Sequence, residues 1–89
     1  MSILNIKNLE RCFLGAKEQG IKFVAVRIEM EGFPRSEIIV NPIDNAEAKL
    51  EYYQKAYDEF LFHKFAKGVS ITGFSFGNDM NEIQEDLDY

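Results

Sequence analysis

The chain has little cysteine, little proline, no tryptophan and no long apolar run. Its single cysteine, Cys12, cannot form an internal disulfide, and a small chain without disulfides is typical of a reducing compartment. Nowhere do about 18 apolar residues follow one another, and the first twenty residues contain no signal-peptide core. These absences predict a cytoplasmic protein that neither spans a membrane nor is exported.

Side chains that carry chemistry are also scarce. His63 is the only histidine, and no acidic pair or thiol stands at a spacing that would make it a metal ligand or the base of a nucleophile. The stretch "GFSFGND" lacks the lysine of a phosphate-binding loop, and Asp79 and Glu82 would repel a phosphate there. The sequence therefore predicts no catalytic residue, no metal and no cofactor, and a protein that is not an enzyme.

Large apolar side chains are plentiful. Hydrophobic residues make up 46% of the 89 residues, with eight Phe and four Tyr, which is enough for one compact core. We therefore expect a single domain over residues 1–89. A chain of this size buries only about 60–65% of its unfolded surface, so association into a homo-oligomer stays open.

The negative charge is concentrated in the last segment, "DMNEIQEDLDY", residues 79–89. This segment holds five of the fifteen Asp and Glu residues and no Lys or Arg. The ten acids elsewhere equal the ten bases, so the segment carries the whole formal charge of −5. A chain of this balance lacks the Lys and Arg contacts that direct nucleic-acid binding needs, and its acidic end favours a partner with a basic surface.

Hydrophobic periodicity predicts a helix and a hairpin in the first half. Apolar residues recur at three- and four-residue spacing from Asn5 to Gln19, which indicates a helix. From Ile21 the period changes to two, as in a strand with one buried face, and "EGFPRSE" predicts a turn before a returning strand, "EIIVNP". The charged residues of this hairpin predict that its other face is partly wet; they are Arg27, Glu29, Glu31 and Glu37.

The second half predicts a long helix, a strand and a short helix. A helix of about 20 residues should begin near Asp44 and end at Gly68. One stripe of this helix consists of Leu50, Tyr53, Tyr57, Phe60, Leu61 and Lys64. "VSITGFSF" is the third strand, with a bulge at Gly73 after which Phe74 and Phe76 face inward. Residues 79–89 predict a short acidic amphipathic helix that begins at an Asp cap.

The element order α-β-β-α-β-α predicts an α+β fold. We expect a small three-stranded mixed sheet of strand order 2-1-3, because the crossover through the long helix makes the second and third strands parallel. The helices should pack on one face of the sheet. The other face would stay open or meet a second copy.

Two sets of surface residues are candidate sites. The first is a protein-binding set on the acidic helix and on aromatic residues that point away from the long helix's stripe: Glu82, Glu85, Asp86, Asp88, Tyr52 and Phe62. The second is a ligand-binding set that includes the hairpin tip: Phe33, Arg35 and Arg27. The alternative interpretation of each set is an ordinary solvated surface.

The stretches "FVAVRIEMEGFPRSEIIVNP" and "KLEYYQKAYD" resemble small uncharacterised proteins of phages and prophages of Gram-positive bacteria. The resemblance implies a non-catalytic protein that binds a host protein, such as an anti-phage defence component, stoichiometrically. On this first hypothesis the acidic surface contacts a basic surface of the host protein. The second hypothesis is an oligomeric protein that sequesters a nucleotide-like signalling ligand between subunits, with Arg27 or Arg35 and stacking aromatics such as Phe33.

Overall fold

A computed structural model describes residues 4–87, and these residues follow the predicted element order. The elements are the helices α1 (Ile6–Glu18), α2 (Ala46–Ala56) and α3 (Met80–Leu87), the strands β1 (Phe23–Met30), β2 (Glu37–Pro42) and β3 (Val69–Gly77), and a 3-10 turn (Ile43–Asn45) before α2.

The three strands form one sheet of order β2-β1-β3, which confirms the predicted strand order and the α+β class. Strand β1 is antiparallel to both neighbours: Ile28 pairs with Glu37 on one side and with Ile71 on the other. The prediction of a mixed sheet is therefore wrong. The strands β2 and β3 do run in the same direction, as the crossover requires, but β1 lies between them and every pairing is antiparallel.

The predicted bulge in β3 is confirmed. The pairing of β1 with β3 shifts register between Arg27 and Ile28, and beyond the shift Phe74 pairs with Val26. Because paired residues of adjacent strands share a face, Phe74 then lies on the same side of the sheet as Val26. The extra residue bends the strand and lets its two halves serve the same core.

Helices α1 and α2 pack on one face of the sheet. Helix α1 begins where Asn5 Oδ1 accepts a hydrogen bond of 2.8 Å from the Asn8 amide. Phe13 of α1 meets Tyr53 of α2 edge-to-face, with ring centroids 6.1 Å apart. The main core consists of side chains from these helices, the facing side of the sheet and the loop after α2: Leu9, Phe13, Ala16, Val24, Val26, Ile28, Ala46, Leu50, Tyr53, Ala56, Tyr57, Leu61 and Ile71.

Helix α3 packs on the opposite face, so the prediction that the helices share one face is wrong for α3. Ile83 and Leu87 of α3 form a second cluster with Ala25 of β1. Two glycines of β3 allow the close approach: a Cβ on Gly73 would lie 3.3 Å from Leu87 Cδ2, and one on Gly77 would lie 3.2 Å from Ile83 Cγ1. The last helix therefore covers its own sheet rather than that of a second copy.

Arg27 lies under α3, although its alternation with apolar residues predicted a partly wet position. Its side chain is buried, whereas the other charged residues of the hairpin are exposed. Nη1 donates to the Leu87 carbonyl at 2.7 Å, Nε donates to Thr72 Oγ1 at 2.9 Å, and Nη2 donates to the Thr72 carbonyl at 2.8 Å. One guanidinium thus joins β1, the bulge of β3 and the carboxyl end of α3, where the helix dipole favours a cation.

The predicted helix of about 20 residues is wrong, because α2 ends at Ala56 and Tyr57 is already extended. Asp58 Oδ1 accepts hydrogen bonds from the amides of Phe60 (2.9 Å) and Phe62 (3.0 Å), and such side-chain bonds compete with a helix. Leu61 follows with a left-handed φ of 68°. The turn buries Leu61 while it brings the chain back towards β3.

We expect Arg27→Met to lower the free energy of unfolding by about 3 kcal/mol, because the substitution leaves the buried Leu87 carbonyl and the partly buried acceptors of Thr72 without their charged donor. Arg35→Met is the matched control: it removes an exposed arginine from the same hairpin and should change stability by less than about 0.5 kcal/mol. Urea denaturation measures both. Equal stabilities would contradict the role assigned to Arg27.

Candidate functional site

The acidic segment forms the predicted amphipathic helix over Met80–Leu87. Asp79 caps it, since Asp79 Oδ1 accepts a 2.8 Å hydrogen bond from the Asn81 amide. Ile83 and Leu87 face the sheet, and the acids of the helix are exposed. We call Glu82, Glu85 and Asp86 the acidic surface. Asp88, which was predicted to belong to it, lies outside the described residues.

The acidic surface is anchored to the sheet, but within residues 4–87 its acids form no ion pair. Helix α3, which carries this surface, packs closely on Gly73 and Gly77. Arg27 also donates a hydrogen bond to its last residue, Leu87. The ion pairs among residues 4–87, Lys17–Glu47 and Lys55–Glu51, include none of its three acids. Asp86 Oδ2 accepts a long hydrogen bond of 3.5 Å from Ser75 Oγ, which places this flank of α3 beside β3.

An aromatic surface lies on the loop between α2 and β3. Phe60, Phe62 and Phe65 expose 62%, 57% and 82% of their surfaces. The prediction that Phe60 belongs to a buried stripe is wrong. The sequence did contain a signal: Phe60 and Phe62 flank the buried Leu61, which is the two-residue alternation of an extended segment. We call the loop that carries these three phenylalanines the aromatic loop.

His63 orders the aromatic loop from within and is not on a helix as predicted. Its Nδ1 accepts hydrogen bonds of 3.0 Å from the amides of both Phe65 and Ala66. Its ring stands edge-on to Tyr57 with centroids 4.9 Å apart. Its own amide donates to the Val69 carbonyl at 2.8 Å. These contacts give the only histidine a structural task.

Tyr52 and Phe62 are both exposed, at 51% and 57%, but they lie on different elements. Tyr52 projects from α2 and contacts the ring of Tyr53, whereas Phe62 forms a backbone bridge with Ser70 at the outer edge of β3. Helix α2 and the acidic surface lie on opposite faces of the sheet. The structure therefore does not join Tyr52 to the acidic surface in one patch.

The three residues of the ligand hypothesis differ in their exposure to solvent. Phe33 is 65% exposed and Arg35 is exposed, both at the tip of the β1–β2 hairpin. The Arg27 guanidinium is buried against Thr72 and Leu87. An external anion at the tip would meet Arg35 without Arg27.

A groove that the sequence did not predict runs between α1 and β3. Its volume is about 410 Å³, and its lining residues are Asn8, Arg11, Cys12, Phe74, Ser75 and Phe76. Phe76 is 38% exposed at its wall. No local pattern could indicate the groove, because it forms between segments from opposite ends of the chain.

Burial raises the pKa values of three groups. It raises the pKa of the Cys12 thiol from 9.0 to about 11 and that of the Tyr57 phenol to about 12, and it also raises the pKa of the Tyr53 phenol. None of these shifts is in the direction that activates a nucleophile or a general base at neutral pH. Within residues 4–87, no group of three His, Cys, Asp or Glu side chains is placed to hold a metal ion.

Comparison with known proteins gives no match: no protein-family model, curated protein or solved structure is significantly similar to the chain. None of the helices within residues 4–87 combines the length and the apolar character needed to cross a membrane. The contacts and charges described above are therefore the basis for a functional proposal.

Cys12 should react with a disulfide reagent about tenfold more slowly in the folded than in the unfolded chain at pH 8. The raised pKa lowers the thiolate fraction about a hundredfold, and the greater nucleophilicity of a more basic thiolate offsets about tenfold of that. The rate should rise as the pH approaches 11. Absorbance of the released reagent, with guanidinium-unfolded protein as the control, measures it; equal rates in both states would contradict the burial of Cys12.

Proposed function

We propose that the chain is a non-catalytic binding protein, a phage-encoded inhibitor that binds a host protein stoichiometrically through the acidic surface. The host protein presents a complementary basic surface, and a component of anti-phage defence is the class of target that the phage resemblance favours. Binding takes place in the host cytoplasm and blocks the target by occupying its basic surface.

The observation that carries the proposal is a helix that is anchored to the sheet while its three acids form no ion pair within residues 4–87. Glu82, Glu85 and Asp86 are exposed, and Ile83 and Leu87 anchor the same helix to the sheet. A preorganised charged surface loses little conformational freedom when it binds. Its field attracts a basic partner and increases the association rate, and it is screened over about 8 Å at physiological ionic strength.

The structure offers less support for the ligand-sequestering alternative. That hypothesis used Arg27 or Arg35, with stacking aromatics such as Phe33, to hold an anionic ligand between subunits. Arg27 is instead engaged by Thr72 and Leu87, so the hairpin tip keeps a single arginine and one exposed ring.

Neutralising the acidic surface tests the proposal. Glu82→Gln, Glu85→Gln and Asp86→Asn together keep Ile83 and Leu87, so the variant should fold, and its affinity for the host protein should fall at least about tenfold. Tagged protein is used to capture the partner from lysates of Gram-positive bacteria. The purified pair is then measured by calorimetry at low and at high salt.

The matched control neutralises three exposed acids elsewhere, Glu18→Gln, Glu37→Gln and Glu59→Gln, and changes the net charge by the same amount. It should keep the affinity within about twofold, because distant surface charges are screened. A partner that binds all three proteins equally would show that the acidic surface is only a solvated face. Failure to recover any partner at a fixed ratio would contradict the binding function itself.

A further inference from the structure

The outer edge of β3 is open beyond its first residues. At the start of the strand, the Ile71 amide donates outward to the Leu61 carbonyl at 2.9 Å, so the aromatic loop covers that part of the edge. Ile71 pairs with Ile28 of β1, and Val26 and Val24 follow at two-residue steps with Phe74 and Phe76 as partners. Since backbone direction alternates along a strand, Phe74 and Phe76 also direct their N–H and C=O groups outward.

Those outward groups have no partner in the described part of the chain. The hydrogen bonds between elements of residues 4–87 include none to the backbone of Phe74 or Phe76. The edge from Gly73 to Gly77 carries no Lys and no Pro, the residues that commonly protect an exposed edge strand. An added strand would satisfy four backbone groups here.

The two faces beside this edge differ in chemistry. On the α1 side lies the groove with Cys12 and the rings of Phe74 and Phe76, and Arg11 stands at its wall. On the α3 side lies Asp86, next to Ser75. Glu82 is four residues from Asp86 and lies on the same flank of the helix. A strand added to β3 would therefore meet an apolar, cationic side and an acidic side.

We infer that the partner adds an extended segment antiparallel to β3, in which apolar residues alternate with Lys or Arg. Residues opposite Phe74 and Phe76 share their face, so the apolar side chains enter the groove and the cationic ones reach Asp86 and Glu82. Arg11 repels the opposite placement, in which the cationic side chains would enter the groove. This inference rests on the proposed function and specifies how its basic partner is recognised.

A second copy of the chain fits the same edge poorly. Antiparallel pairing of two β3 edges with Phe74 opposite Phe76 of the copy places the two-fold axis at Ser75. The Asp86 side chains of both copies, each beside its own Ser75, would then approach one another with like charge. A basic segment removes that repulsion and replaces it with attraction.

The probe is a synthetic peptide of about eight alternating Val and Lys residues, which is long enough for one strand. Hydrogen exchange followed by NMR reports on each amide of the full chain. With the peptide bound, the Phe74 and Phe76 amides should exchange at least about tenfold more slowly. A peptide in which Glu replaces every Lys keeps the backbone and the valines, and it should give no protection.

Two methylated peptides separate strand addition from simple charge attraction. In the inferred pairing, the valine amides face β3 and the lysine amides face away. Methylation of the valine nitrogens should therefore weaken binding by at least about tenfold, and methylation of the lysine nitrogens should leave it within about twofold. Equal binding of both methylated peptides would overturn the inference.

Other outcomes also overturn it. Protection confined to the α3 amides would show a partner docked on the helix alone, and this result would leave the proposed function standing. Sedimentation of the free chain as a dimer, with Phe74 and Phe76 already protected, would make a second copy the occupant. Failure of the proposed function is seen separately, when the substitutions at Glu82, Glu85 and Asp86 leave the affinity of the host partner unchanged.

Discussion

The two-sided structure, with helices on both faces of the sheet, depends on the hydrogen bonds of the Arg27 guanidinium. Its donors reach the bulge of β3 and the last described turn of α3, so one side chain sets both the shape of the edge strand and the position of the terminal helix. A buried cation is costly unless it is fully hydrogen-bonded, and here carbonyl and hydroxyl oxygens serve that need. The acidic surface faces solvent because the buried guanidinium of Arg27 bonds its helix to the sheet.

Local patterns predicted much of the fold. The period of apolar residues located α1, the β1–β2 hairpin and α3, and short connections left few possible strand orders. Two predictions failed where a distant contact overrode the local pattern. Arg27 looked exposed because its partners, Thr72 and Leu87, are far along the chain, and the face chosen by α3 depends on Gly73 and Gly77, whose lack of side chains is visible only against the helix.

The candidate site likewise contains one part that the sequence predicts and other parts that it does not. The acids of α3 could be found by counting charges, because an unbalanced segment needs no structure to be recognised. The aromatic loop was missed because its alternating rings were interpreted as part of a helical stripe. The Asp58 side chain ends that helix by accepting hydrogen bonds from the amides of Phe60 and Phe62. The groove joins Cys12 to Phe76 across the chain, so tertiary packing alone creates it.

The distance along the chain between Arg27 and Leu87 has a consequence for folding kinetics. The two residues are sixty positions apart, and their hydrogen bond needs the pairing of β1 with β3 to be in place. Contacts of such large sequence separation form late, because loop closure has to precede them. The Arg27–Leu87 bond therefore forms only once β1 and β3 have paired, so a partner that recognises the seated α3 encounters chains in which that pairing is in place.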